Sequence, residues 1–252
     1  MIGLGQLTYV PDDNFEQKLI NEGYDNVLDD YVLTANIDTL ISLNLTTTST
    51  TNLITDLTGI EDFTALQYLN FSGHQITTID LSNNTNLNNL VCYNNQLVTL
   101  DVSQNTSLED LGCSANSLIC LDVSSTAITT LSCYDNLLEQ LNTKNGILST
   151  SSTFYSIDGR NNNLSCVEVD DIYFVTVYWQ LNGSLAFDSL VTFDTDCNYS
   201  NPCNSTTAIQ ELTTNKELLK VTDLLGRETK ETNQPLFYIY DDGTVEKRIV
   251  IE

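Results

Sequence analysis

The sequence predicts a solenoid of stacked, parallel β-strands with few helices. Residues 90–103 (LVCYNNQLVTLDVS) and 111–124 (LGCSANSLICLDVS) carry nearly the same pattern and begin 21 residues apart. Within each unit, inward leucine and cysteine alternate with outward residues over a short stretch, as in a strand with one buried face. One unit cannot bury its apolar edge alone, whereas stacked units share a continuous core.

The pattern recurs on both sides of these two segments. The aligned residues are Leu69, Phe71, His74, Ile76 and Ile79; Leu90, Cys92, Asn95, Leu97 and Leu100; Leu111, Cys113, Asn116, Leu118 and Leu121; Leu131, Cys133, Asn136, Leu138 and Leu141; and, more loosely, Ile157, Gly159, Asn162, Leu164 and Val167. An irregular first unit carries Leu43, Leu45, Ile54 and Leu57. This repeat resembles the leucine-rich repeat, which implies a horseshoe-shaped parallel β-sheet over residues 37–170.

The inward cysteines and the single histidine fit structural roles in this frame. Cys92, Cys113 and Cys133 occupy the strand position that Phe71 fills one unit earlier, so we expect small, reduced core residues there. His74 stands where the other units have asparagine, whose amide can satisfy the turning backbone. With no second histidine, no nucleophile motif and no glycine-rich phosphate loop, the sequence does not predict an enzyme.

The segment before the repeats is expected to form an N-terminal helical cap over residues 8–36. PDDNFEQKLINEGY (11–24) predicts a short helix with a capping box of Asp13 and Glu16 and an end at Gly23. The next acidic residues have partial EF-hand spacing, with Asp25 and Asp29 at the first and fifth positions. Other ligand positions are not filled, so a solvated acidic turn is favoured, and calcium binding by Asp25 and Asp29 is the alternative. We expect no other cofactor or metal.

An aromatic segment follows the repeats and is expected to form a C-terminal cap over residues 171–197, with Tyr173 among the aromatics that cover the final unit. Cys166 and Cys197 bracket this cap and are predicted to form a disulfide. Cys203 competes for Cys197, and the pairing of Cys120 stays open. Residues 198–206 have turn and polar residues without apolar periodicity, which predicts a linker.

Residues 207–252 are expected to form a small module of short β-strands. Val221-Thr222-Asp223, Leu225-Gly226-Arg227-Glu228 and YIYDDGTVEKRIVIE (238–252) resemble the C-terminal type A sorting domain of the type IX secretion system of Bacteroidota. YVPDDNFEQKLI (9–20) and CVEVDDIYF (166–174) are similar to surface leucine-rich-repeat proteins of the same bacteria. The resemblance implies a secreted or outer-surface location and contact with the type IX secretion machinery, with Gly226, Arg227, Asp241, Asp242 and Gly243 in the sorting motif.

Charge narrows the choice of partners. With 34 acidic and 9 basic residues, the formal net charge is −25, which disfavours nucleic acid and anionic lipid surfaces. No apolar run approaches the roughly 18 residues that a membrane span needs.

The outward strand positions predict a ligand-binding face on the concave side of the sheet. Tyrosine beside amide, hydroxyl and carboxylate groups suits a protein or glycan ligand. The candidate residues are Tyr68, Asn70, Asn89, Tyr93, Asp110, Ser114, Thr130, Tyr134 and Asp135. We therefore expect a non-catalytic binding protein. The alternatives are a structural or adhesion component of the surface, with or without calcium, and, less favoured, a polysaccharide-active enzyme or accessory.

Overall fold

The computed structural model describes residues 5–146, 156–175, 185–199 and 203, and the backbone of 218–222, 235–240 and 245–249. Two compact units are present, Met1–Asn204 and Ser205–Glu252, and their boundary falls within the segment expected to be a linker. No helix in the described residues is both long enough and apolar enough to span a bilayer.

The elements are short, as expected for a repeat of about 20 residues. In chain order they are β1 (Leu7–Tyr9), α1 (Asp13–Asn21), β2 (Tyr31–Leu33), β3 (Ser42–Asn44), β4 (Tyr68–Asn70), β5 (Asn89–Val91), β6 (Asp110–Gly112), β7 (Cys120–Asp122), β8 (Thr130–Ser132), β9 (Gln140–Asn142), β10 (Ser156–Asp158), β11 (Cys166–Glu168), α2 (Ile172–Phe174), β12 (Leu185–Ala186), β13 (Thr192–Asp194), β14 (Leu218–Thr222), β15 (Pro235–Tyr240) and β16 (Val245–Ile249). Short 3₁₀ turns occupy Thr34–Asn36 and Ile60–Asp62.

A long parallel sheet confirms the predicted repeat register. Among the described residues, it contains β3, β4, β5, β6, β8, β10 and β12 in that order. The middle residues of neighbouring strands pair in register, in the series Leu43, Leu69, Leu90, Leu111, Leu131 and Ile157, and these side chains are buried. Each unit of the sequence therefore contributes one level of a single core.

A second parallel sheet, which the sequence analysis did not predict, lies on the other side of the later repeats. Strands β7, β9, β11 and β13 form it, and Leu121 of β7 pairs with Leu141 of β9. Both side chains are buried. The stretch around Leu121, which contains Leu-Asp-Val-Ser, thus supplies a second strand in these levels, and the core there lies between two sheets.

The core continues through the inward cysteines. Cys92, Cys113 and Cys133 are fully buried free thiols on successive levels. All seven cysteines lie in the described part of the chain, and the other four form two disulfides, Cys166–Cys197 and Cys120–Cys203. The first is the pair expected from the sequence. The second gives Cys203 a different partner from Cys197, because β7 brings Cys120 onto the second sheet.

The N-terminal cap contains the predicted helix, but its first turn differs from the prediction. Asp12, not Asp13, is the N-cap, and its Oδ1 accepts hydrogen bonds from the backbone N–H groups of Asn14 and Phe15. Its Oδ2 accepts from the backbone N–H of Thr55, which ties the helix to the first repeat. Glu16 takes no part in a capping box, because its buried carboxylate accepts three backbone N–H bonds from residues 29–31.

The repeats extend beyond residue 170, where the sequence placed the start of a cap. Strand β12 adds to the long sheet and β13 adds to the second sheet, so this segment forms a further level. Tyr173, expected to cover the final unit, is 69% exposed. Residues 176–184, which hold Tyr178 and Trp179 of the expected aromatic cover, lie outside the described residues.

In the second unit, β14, β15 and β16 form an antiparallel sheet in that order. The expected sorting residues Gly226, Arg227, Asp241, Asp242 and Gly243 lie outside the described residues.

Candidate functional site

The outer face of the long sheet carries the predicted binding residues. Alternation along each strand turns these side chains away from the core, and the in-register stack places equivalent positions about 4.8 Å apart from level to level. Tyr68, Asn70, Asn89, Tyr93 and Asp110 are half-buried, whereas Thr130, Tyr134 and Asp135 are exposed. We call this set, without Ser114, the outer face.

Ser114 is a correction to the predicted set. It is only 1% exposed, and its Oγ lies 3.0 Å from the Oγ of Ser132 on the next level. A buried hydroxyl engaged with a neighbouring serine cannot meet a ligand. The sequence pattern predicted that the Ser114 side chain points outward, but it did not predict that neighbouring side chains bury it.

Tyr93 lies across the neighbouring level. A Cβ added at Gly112 would contact the hydroxyl, Cζ and Cε1 of the Tyr93 ring, so the ring covers the backbone of β6 at the point where no side chain stands. Burial, with the neighbouring Tyr134 as a smaller cause, raises the pKa of Tyr93 above its ordinary value. The ring is therefore a neutral, fixed feature of the surface.

Polar pairs surround this ring. The Asn89 Nδ2 donates to the Asp110 carboxylate at 3.3 Å, and the Asn89 Oδ1 is buried with no partner in the described part of the protein. On β4, one level before Asn89, the Asn70 Nδ2 donates to the Tyr68 hydroxyl at 3.2 Å. The Asp110 carboxylate and the Tyr68 hydroxyl thus provide hydrogen-bond acceptors beside an aromatic surface.

The rear part of the face contains residues that sequence analysis missed. Arg160 forms an ion pair with Asp158 at 2.7 Å, and this contact is the main cause that lowers the pKa of Asp158. Asn161 donates to the Asp135 carboxylate at 2.7 Å. The loose unit at 157–167 already aligned these residues with the face, and this alignment was the signal that could have identified them.

One flank of the solenoid is closed by a row of buried and half-buried polar side chains that we call the side ladder. Its members are His74, Asn95, Asn116, Asn136 and Asn162. The Asn136 Nδ2 donates to the carbonyl of Cys113 on the preceding level and to the carbonyl of Cys133, and its Oδ1 accepts the backbone N–H of Leu118. Asn95, Asn116 and Asn162 repeat this pattern.

His74 performs the same task with an imidazole. Its Nδ1 accepts the backbone N–H of Ile54, and its Nε2 donates to the carbonyl of Leu45 at 2.8 Å. Burial lowers the pKa of His74, while the Leu45 hydrogen bond opposes this effect. Both ring nitrogens are used by the backbone, so the only histidine of the chain has no nitrogen left for catalysis.

The three core thiols are unreactive. Complete burial raises the pKa of Cys92 to about 12, and it raises the pKa values of Cys113 and Cys133 well above their ordinary range. Thiolates are the nucleophilic and metal-binding form of cysteine. The thiols therefore remain protonated and act as apolar packing groups.

The acidic N-terminal turn is arranged differently from the EF-hand spacing. Within the described ranges, the carboxylates that approach one another within 4.8 Å are those of Asp13, Glu16 and Asp30, and this group does not include Asp25 or Asp29. Asp29 accepts the backbone N–H of Tyr31, and Glu16 is committed to backbone N–H groups. Calcium binding by Asp25 and Asp29 stays a hypothesis.

The second sheet borders a polar cavity of about 360 Å³. Its lining comprises Asp122, Asn142, Glu168, Asp196, Asn198, Tyr199 and Cys203. The Tyr199 hydroxyl donates to the carbonyl of Cys166, and the two disulfides join the 197–203 segment to β7 and β11. The cavity therefore lies where disulfide-bonded residues close the C-terminal end of the solenoid.

Comparison with known proteins places these features in context. No protein-family model matches the sequence, and no curated protein matches it. Among solved structures, the functional domain of InlJ from Listeria monocytogenes, which includes a cysteine ladder, is 26% identical with a TM-score of 0.52, over 77% of this chain and 49% of that chain. The internalin InlF from L. monocytogenes is 19% identical with a TM-score of 0.52, over 74% of this chain and 57% of that chain.

This chain thus spans about half the length of the solved structures it resembles. The register of the parallel sheet, the side ladder and these structural neighbours agree, and the chain folds as a leucine-rich-repeat solenoid with internalin-like architecture.

Proposed function

We propose that this protein is a non-catalytic, secreted or surface-displayed binding protein that holds an extracellular protein or glycan on the outer face of its long sheet. The observation that carries the proposal is the outer face itself. It presents a fixed tyrosine, an exposed tyrosine and several hydrogen-bonding side chains on a rigid, regularly spaced sheet. An internalin-like leucine-rich-repeat fold suits a surface binding or adhesion protein.

The structural use of the histidine and of the recurring aspartates supports the binding role. The single histidine is used by the backbone. Asp101 and Asp122 recur in the repeat, but each carboxylate accepts the backbone N–H of the serine two residues later, which is a turn role. A glycosidase would need two carboxylates on either side of a scissile bond.

The proposed extracellular location has two supports. Two disulfides suit an oxidising environment. The tail from residue 207 resembles a type IX sorting domain, which would bring the chain to the outer surface through that machinery. The second candidate function is a structural or adhesion component of the surface, with or without calcium.

The test is a binding screen of the full chain against arrays of extracellular proteins and of glycans, with and without calcium. The face variant is Tyr134→Ala with Asp135→Asn, and the control is Tyr173→Ala, which removes an exposed tyrosine from another part of the protein. We expect a ligand that the face variant loses and the control keeps. If no array shows binding and the protein self-associates on size-exclusion chromatography, the structural role would be favoured instead.

A further inference from the structure

The position of Tyr93 indicates what kind of ligand the outer face takes. One side of its ring lies against the Gly112 backbone. Half-buried in this way, the ring has its other side directed away from the sheet. A flat aromatic surface packed against the backbone in this way binds the face of a partner ring with little loss of side-chain entropy.

The surroundings of this ring are unlike the centre of a protein–protein interface. Such centres are rich in large apolar anchors. On the described strands β4, β5, β6 and β8, the outward residues are polar or small except for Tyr68 and Val91. The exposed aliphatic side chains Val98, Ile119 and Leu137 lie outside these strands.

Hydrogen-bonding groups lie at a distance that a chain of sugars can bridge. Asp110 lies two residues before Gly112 on the same face of β6, about 7 Å along the strand at roughly 3.3 Å per residue, and the Tyr93 ring lies over Gly112. The Asp110 carboxylate accepts a hydrogen bond from the Asn89 Nδ2. Sugar hydroxyls both donate and accept hydrogen bonds, so they can satisfy an amide and a carboxylate together.

From this geometry we propose that the ligand is a neutral oligosaccharide, with one sugar ring stacked on Tyr93 and a second sugar hydrogen-bonded to Asn89 and Asp110. The proposal rests on the binding function assigned to the outer face, and it names the ligand class. Acidic glycans are disfavoured, because the chain has a net charge of −25 and Asp110 and Asp135 lie on the outer face.

The test uses the full chain and a panel of neutral oligosaccharides of two to six units (glucan, mannan and xylan fragments), with the matching monosaccharides and uronic acid oligomers. Binding is followed by calorimetry for wild type, Tyr93→Ala, Tyr93→Phe and the Tyr173→Ala control. We expect a neutral oligosaccharide to bind, and Tyr93→Ala to weaken it about tenfold or more, as for the loss of an aromatic anchor. Tyr93→Phe and the control should stay close to wild type, because the first keeps the ring.

Gly112→Ala provides an independent variant, since its methyl group would displace the Tyr93 ring without removing any group from the ligand site. We expect it to weaken binding as Tyr93→Ala does, at an unchanged circular dichroism spectrum. Neutral oligosaccharide binding that survives Tyr93→Ala would overturn the stacking proposal. A protein ligand lost in the Tyr134→Ala, Asp135→Asn variant, with no oligosaccharide bound, would overturn the ligand class and leave the binding function standing. No ligand of any class would overturn both.

Discussion

The two flanks of the solenoid close their levels in different ways. Along the side ladder, every level uses the same device, and each asparagine both donates to the preceding level and accepts an N–H. On the opposite flank the early levels use Asn84 and Asn105, whose Nδ2 groups donate to carbonyls while their Oδ1 atoms have no partner in the described part of the chain. The later levels replace these side chains with the second sheet and two disulfides. A repeat therefore requires one continuous flank, while the other can change its construction.

Reduction of the two disulfides should cause the largest loss of stability. The loss should be confined to the later levels, where the second sheet forms the flank. They close 83 and 31 residues, worth about 4–5 and about 3–4 kcal/mol in a chain-entropy model. Reduction should therefore lower the denaturant midpoint strongly. The control replaces Cys120, Cys166, Cys197 and Cys203 by serine, and its midpoint should not respond to reductant, because the remaining cysteines are already thiols. An unchanged wild-type midpoint under reduction would contradict the assigned role.

Replacing one asparagine on each flank should show how much each kind of hydrogen bonding contributes to the free energy of unfolding. Asn136→Ala leaves the backbone N–H of Leu118 without a partner in a buried site and also removes a donor from the carbonyls of Cys113 and Cys133, so we expect a loss of about 3 kcal/mol. Asn105→Ala leaves only two carbonyls without their side-chain donor, and we expect about 1–2 kcal/mol. Both side chains are almost fully buried, which makes the pair a matched test. Equal losses in equilibrium unfolding would mean that the Oδ1 bond contributes nothing.

The smallest effect on stability should come from His74, the first member of the side ladder, and it should appear as a dependence of the unfolding free energy on pH. Burial lowers the pKa of His74 below its unfolded value of 6.5, so the folded state favours the neutral ring. The stability contribution is complete above pH 6.5 and falls as the pH drops through the folded pKa, because protonation removes the Nδ1 acceptor for Ile54. Unfolding free energies measured between pH 7.5 and 5 should show this fall, and His74→Asn should show less of it. Identical slopes for the two proteins would contradict the assignment.

Much of the architecture was predictable from the sequence because it follows from periodicity. The inward leucines, the core cysteines and the asparagine position each recur once per unit, and a recurring position in a stack has a recurring environment. His74 could be placed in the side ladder for the same reason, although the use of both ring nitrogens could not be predicted. The Cys166–Cys197 pair followed from its position around the last segment.

Features that depend on contact between levels were not predictable. Asp12 rather than Asp13 caps the helix because Thr55, far away in sequence, also binds it. The burial of Ser114 and the position of Tyr93 over Gly112 both depend on contacts with a neighbouring level. The sequence gives the direction of a side chain on a strand, but the cover above it comes from other strands.

By itself, the sequence determined the repeat, the inward set of residues and the outer face, because a fixed spacing of apolar residues allows only one way of stacking the units with a common core. Only the tertiary structure decided which outward residues a ligand can reach, that a second sheet forms behind the later levels, and that Cys120 pairs with Cys203. These properties arise from distances between residues that the periodicity does not relate, and stacking is what brings such residues together.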